Sequence, residues 1–285
     1  HRHGEIARAT ERFEYAYQVV HRIYGKGDAR TRPALVKLAR WYEDVRFPQV
    51  ARMLYEQALE MDGLDESSVS QGYLEHLLRV ARTHRLQAFP SSKYINGRPL
   101  FEPRPFGFVL AEGTVLRETR ADKFGAGQNA LSRAVELAES LHGEDSVEVA
   151  RAVLELGDWW LLFKQWRRAF DSYDRVWAIL ASRDPQRLQE VFGQPTPLYD
   201  VNPGNPKRML ENMRAERLRP GEVEYAFTIT DRGRVTDVQT IRSTPEDFDG
   251  FGYRKALATT RYRPAFSEAK PLATYDHRRI IEFDY

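Results

Sequence analysis

The sequence contains no cysteine. Disulfides, thiolate zinc sites and cysteine nucleophiles are therefore excluded. A chain free of stray thiols suits an oxidising compartment and fits any other. No apolar stretch approaches the ~18 residues needed to span a bilayer. Neither charge sign dominates: 43 Lys and Arg face 41 Asp and Glu, for a net charge of +2. That balance supplies no general attraction to nucleic acid or to an anionic membrane surface. There is also no initiating Met, and His1-Arg2-His3-Gly4-Glu5 runs directly into a helical pattern. We expect the native chain to extend upstream, with membrane attachment only through an anchor in that upstream part.

Motifs that carry chemistry are equally scarce. His1 and His3 have no Asp or Glu in register and read as a tail, not a metal site. Gly25-Lys26-Gly27 and Gly125-Ala126-Gly127 neither follow a strand nor end in Gly-Lys-Ser/Thr, so they read as turns between helices and not as phosphate loops. Glu5, Glu11 and Glu14, or Asp171 and Asp174, offer carboxylates without any sign of a water-excluded pocket. No nucleophile elbow is present. The expectation is a binding protein that is not an enzyme and uses no cofactor or metal.

What the sequence does contain is an internal repeat. Leu156 stands 118 positions after Leu38, and the same offset pairs Ala39 with Gly157, Trp41 with Trp159, Tyr42 with Trp160, Ala51 with Ala169 and Tyr55 with Tyr173. It also pairs Gly25 with Gly143, and it runs from Ala9 to Ala58 without a gap. Within each copy, large and small residues alternate at helical spacing: Leu35, Leu38-Ala39, Tyr42, Ala51, Tyr55 and Ala58, then Val153, Leu156-Gly157, Trp160, Ala169, Tyr173 and Val176. Small residues let paired helices approach, and aromatic residues fill the space between them. Trp41, Trp159, Trp160, Trp166 and Trp177 read as such filler.

This spacing resembles the tetratricopeptide repeat (TPR), and the lead-in segments resemble the longer-spaced style of kinesin light chains. The resemblance implies a helical array whose first helices line a groove for an extended peptide or a partner helix. Arg40, Glu43, Arg151 and Asp158 would be its exposed positions, with Leu154 as an apolar contact. Phe89 to Phe108 breaks the array with four prolines and reads as an ordered loop, with Asn96-Gly97 as a hairpin turn signal. Helices are expected to resume at about Val109 to Thr119 and Gly125 to Leu141.

After Trp177 the pattern changes. Asp184-Pro185 opens a short helix, and Phe192 to Pro206 is rich enough in proline and glycine to mark a linker. Lys207 to Leu218 reads as a helix. In Glu222 to Thr230, Val223, Tyr225, Phe227 and Ile229 share one face, as in a half-buried strand. Asp231-Arg232-Gly233 is a turn, and Arg234 to Arg242 returns. Val235 and Val238 can both face inward only across a bulge. Phe248 to Thr260 reads as a helix and His277 to Tyr285 as a last strand.

This order, with "GEVEYAFTITDRGRVTDVQTIRSTP", "RYRPAF" and "KPLATYDHRRIIEFDY", resembles the C-terminal domain of TonB. The expected fold is therefore multidomain, α and α+β: a TPR-type array over 1–192, a linker over 193–205, and over 206–285 a TonB C-terminal-like domain with a three-stranded antiparallel sheet. The resemblance implies a periplasmic scaffold or adaptor of the Gram-negative envelope, whose partners are proteins or peptides and not nucleic acid. An outer-membrane receptor or another cell-envelope protein would add a strand beside the last strand, with Arg278, Ile280, Glu282 and Asp284 facing outward. The alternative is a TonB-type energy transducer whose membrane anchor lies outside this chain. Arg261, Arg263, Arg278 and Arg279 form a late basic cluster, read as a solvated sheet rim or as a site for a partner's carboxylates or an acidic cell-wall polymer.

Overall fold

A computed structural model describes residues 2–45, 47–63, 70–89, 94–95, 98–99, 120–199, 219–246, 248 and 250–284. The expected helices at Val109 to Thr119 and Lys207 to Leu218 lie outside the described residues, as do Asn96-Gly97 and His1. Among the described residues the chain divides into two compact units, His1–Phe89 with Arg98–Glu155, and Pro90–Gly97 with Leu156–Tyr285.

The first unit is built from α1 (Arg2–Tyr24), α2 (Arg32–Asp44), α3 (Pro48–Gly63), α4 (Gln71–Ala88), α5 (Arg120–His142) and the start of α6 (Val147–Leu162). The short strand β2 (Arg98–Pro99) also belongs to this unit, whereas β1 (Tyr94–Ile95) belongs to the second. The repeat positions behave as their spacing demands: Leu35, Leu38, Ala39, Tyr42, Ala51, Tyr55 and Ala58 are all fully buried. Trp41 donates from Nε1 to Thr10 Oγ1 at 2.9 Å and stacks on Phe13, which ties α2 to α1. The paired glycines end equivalent helices. Gly25 (φ +88) donates its N–H to the His21 carbonyl, and Gly143 (φ +82) donates to that of Glu139. Both occupy the left-handed cap position where a side chain is strained. Gly125 and Gly127, expected in a turn, lie inside α5 instead. The long helical pattern after them carries the helix through, at the modest cost of glycine in a helix interior.

The second unit begins with the end of α6 and continues through α7 (Trp166–Arg183) and α8 (Pro185–Phe192). A Cβ on Gly157 would lie 2.8 Å from the Tyr173 ring, so the glycine is what allows α6 and α7 to approach there. Asp184 caps α8 by accepting from the Arg187 N–H at 2.9 Å, as the Asp-Pro signal predicts.

Strands β4 (Pro220–Ile229), β5 (Val235–Thr244) and β9 (Thr274–Asp284) form a three-stranded antiparallel sheet in the order β5-β4-β9. Helix α9 (Phe251–Thr259) packs on it: Val223, Tyr225, Phe227 and Ile229 bury one face of β4 against Tyr253, Leu257, Tyr262 and Ile281. The expected bulge is present. Ala226 pairs with Gln239 but Thr228 with Thr236, and Asp237 sits at φ +54 between them. Val238 thereby packs against the same core as Val235. The other edge carries a matching feature, with Ile229 opposite Thr274, Phe227 opposite His277, and Asp276 at φ +50. Aspartate tolerates this left-handed conformation better than most residues.

The chain divides into compact units between Glu155 and Leu156, so the last helix pair belongs to the same unit as the C-terminal strands. The expected linker also contains β3 (Thr196–Tyr199), which pairs antiparallel with β6 (Arg261–Arg263), Thr196 opposite Arg263. Pro195 and Pro197 suit so short a strand, since they lack the donors a central ladder would need. A further hairpin, β7 (Ala265–Ser267) with β8 (Lys270–Leu272), was not legible in advance.

Candidate interaction site

The proposed groove positions separate into two groups. Arg40 and Arg151 are exposed and Leu154 is half-buried. Glu43 and Asp158, expected to be exposed, are only 4% and 2% exposed. A carboxylate is buried this deeply only when cations and donors surround it, and each has found them.

In the first unit, Glu43 Oε2 accepts from the Tyr55 hydroxyl at 3.0 Å and from Arg79 at 3.2 Å. Arg82 pairs with its other oxygen at 2.6 Å. The row continues across the first helices of the repeats. Glu75 on α4 holds Arg151 on α6 in a two-pronged pair at 2.6 and 3.2 Å, and Arg85 on α4 reaches Glu155 on α6 at 3.1 Å. Much of the charge along this face is therefore committed to holding neighbouring helices together. Arg40 and Lys37 remain exposed on α2.

In the second unit, Asp158 receives three hydrogen bonds. Arg263 on β6 donates from Nε to Oδ1 and from Nη2 to Oδ2, both at 2.9 Å. Tyr173 on α7 donates to Oδ1 at 2.8 Å. The third arginine arm, Nη1, donates to the Val191 carbonyl at 3.0 Å, in the last turn of α8, where unsatisfied carbonyls favour a cation. Three residues beyond Arg263, the ring of Phe266 packs among Tyr173, Trp177, Phe170 and Phe192, closest to Phe192 at 4.6 Å between centroids.

The two networks are quasi-equivalent. Tyr55 and Tyr173 are repeat partners, and each hydroxyl donates to a buried carboxylate that arginine also holds. Burial first, and the adjacent carboxylate second, raise both phenols above their ordinary value, so both remain donors. In the first copy the arginines come from the next helix, α4. In the second the arginine comes from β6. Sequence symmetry could not reveal this, because the acid itself has moved: the position equivalent to Asp158 is Arg40, and that equivalent to Glu43 is Leu161.

The residues expected on the last strand stand as the alternation places them. Ile281 is buried, while Arg278, Ile280 and Glu282 are exposed. The side chain of Asp284 lies outside the described residues. Among the described residues, β9 pairs only with β4 and so forms one edge of the sheet, as β5 forms the other. The late basic cluster does not stay together. Arg263 is buried against Asp158, and Arg278 pairs with Glu224 and Asp276.

No protein-family profile and no curated protein matches the chain. The chain is similar in part to several solved structures, two of which follow. BtubC (BKLC) from P. vanneervenii is 19% identical over 67% of this chain, with a TM-score of 0.42, and the match spans 64% of the BtubC chain. A Podosopora anserina chain assigned as a kinesin light chain, with nearly identical TPR-like repeats, is 16% identical over 64% of this chain and 90% of its own, with a TM-score of 0.29. The class defined by the described residues is a helical-repeat array with a small α+β part.

Proposed function

We propose that this chain is a protein–protein interaction scaffold whose C-terminal sheet receives an extended peptide along β9. The observation that carries this is the difference between the two sheet edges. Along β5 the register with β4 is broken twice, between Glu224 and Tyr225 and between Ala226 and Thr228. Along β9 it is broken once, between Phe227 and Ile229, and is then continuous from Phe227 opposite His277 to Pro220 opposite Asp284. Bulges and shifts blunt an edge against pairing, whereas an unbroken run presents backbone N–H and C=O groups in order. Exposed Arg278, Ile280 and Glu282 would then read the side chains of the added strand.

The helical array gives the second contact surface, with a protein or peptide partner along the first helices near Arg40 and Lys37. The strand–strand–helix–strand order and the words quoted above support a TonB C-terminal-like domain. On that reading the chain works in the periplasm, and the added strand belongs to an outer-membrane receptor or another cell-envelope protein. We read the chain as non-enzymatic.

Photo-crosslinking residues placed at Ile280 and Glu282 test the edge against the same residue at Thr240 on β5. The expected result is adducts with an extended partner segment from β9 and none from Thr240. Adducts arising only from β5, or from neither edge while the partner still binds, would place recognition elsewhere.

A further inference from the structure

Three exposed arginines of the second unit have carboxylates beside them: Arg187 has Glu190, Arg242 has Glu222 and Glu224, and Arg278 has Glu224 and Asp276. Among the described residues, one corner gathers several cations that have none. The turn between β4 and β5 sits on the corner between α6 and α7, where a Cβ on Gly233 would lie 3.5 Å from Leu161. Arg234 and Arg261 are direct bridge partners there, and the Arg234 guanidinium lies 6.0 Å from the centre of the Trp166 ring. Lys164 and Arg232 are exposed on the same two connections, and Arg167 and Arg168 in the first turn of α7. Arg261 reaches only backbone carbonyls, those of Thr259 and Thr260, and Arg168 stacks on Trp160. Among the described residues none of these six cations has a carboxylate partner.

This arrangement works against stability. Like charges directly opposite on paired strands repel, and burial together with Arg234 holds Arg261 below the ordinary arginine value. Arg167 and Arg168 stand in the first turn of α7, which contains no acid, and cations are disfavoured at that end of a helix. The nearby acids do not relieve it. Among the described residues Asp231 makes no ion pair, and Asp171 and Asp174 sit beside each other, so that Asp174 is raised first by burial and then by Asp171.

We infer that the corner formed by Arg234, Arg261 and Trp166, with Lys164 and Arg167 beside them, is a docking surface for a short Asp/Glu-rich segment of a partner protein. Guanidinium forks match carboxylates two bonds at a time, and the indole offers an apolar face beside them. A long polyanion is a poorer fit. The whole chain carries a net charge of only +2, which supplies little of the general attraction that nucleic acid binding draws on. The inference rests on the reading of the chain as an interaction protein, but it concerns a surface other than β9.

The test is fluorescence anisotropy on the full chain with a labelled peptide of ten alternating Asp and Glu residues. A single-stranded DNA ten-mer and inorganic phosphate serve as competing probes. Arg234→Glu is expected to weaken peptide binding about tenfold or more, as loss of a charge-pair partner does. Arg167→Glu, which lies off the hairpin, should weaken it in the same direction and guards against misfolding of the first variant. Arg187→Glu should leave binding unchanged. Peptide binding that is absent from the wild type, or unchanged in both variants with native circular dichroism, would overturn the inference. So would tighter binding of DNA, or displacement of the peptide by an equal concentration of phosphate. Because the probe is synthetic and β9 is untouched, failure here leaves the crosslinking result on the sheet edge standing by itself.

Discussion

Asp158 shows what periodicity tells and what it omits. Helical spacing correctly places Leu35, Leu38, Ala39, Tyr42 and Tyr55 in the core, because apolar position on a helix is a local property. It places Glu43 and Asp158 at exposed positions for the same reason, and there it fails. What covers them arrives from 36 residues away in one case and 105 in the other. A buried carboxylate is stable only with its partners, so the two sides of the pair should not respond alike to change. Arg263→Met leaves Asp158 buried with the Tyr173 hydroxyl alone. It is expected to cost about 3–5 kcal/mol in urea unfolding, as loss of one member of a buried pair does. Arg263→Lys keeps the charge but cannot form the two-pronged contact, and should cost less than Arg263→Met. Replacing Asp158 and Arg263 together by apolar residues should cost less than the sum of the single changes. Equal effects from Met and Lys would show that the fork geometry contributes nothing.

At the scale of elements, the sheet was the most legible part of the second unit. Val223, Tyr225, Phe227 and Ile229 announce β4 by alternation, and the odd spacing of Val235 and Val238 announces the bulge. β6 to β8 were not legible, because their strands are three residues long and carry no periodicity. The last strand offers a test by pH. His277 on β9 sits edge-on to Phe227 and Tyr262 at 5.1 and 5.6 Å. Burial first, and Arg279 second, lower its affinity for a proton below the ordinary value of 6.5. The fold therefore favours the neutral ring, while the unfolded chain takes up a proton at the ordinary value. The stabilisation is fully present above pH 6.5 and is lost as the pH falls through the lower folded value. Wild type should lose stability relative to His277→Gln as the pH falls below 6.5. A constant difference as the pH falls would show that the ring titrates freely.

At the scale of the molecule, the repeat and the change from helical to alternating pattern were legible, and the contacts of β6 with the last helix pair were not. Across the proline-rich stretch after Phe192, Arg263 and Phe266 complete the core around Asp158, Tyr173 and Phe192. In the first repeat copy a following helix, α4, supplies the arginines for the buried acid. In the second, β6 does so, and it takes the part that another helix would play. A repeat array needs its last unit covered, and this chain covers it with strand residues. A fragment ending at Gln194 should therefore remain helical by circular dichroism but unfold earlier than the same helices do in the full chain. It lacks Arg263, so Asp158 loses its cation while Tyr173 still crowds it. The consequence is a reversal of sign. Asp158→Asn should destabilise the full chain, where it removes one side of a buried ion pair, and should leave the fragment unchanged or stabilise it, where it removes an unpaired buried charge. Urea unfolding of the four proteins measures this directly. The same loss from Asp158→Asn in both backgrounds would mean that Arg263 does not support the last helix pair.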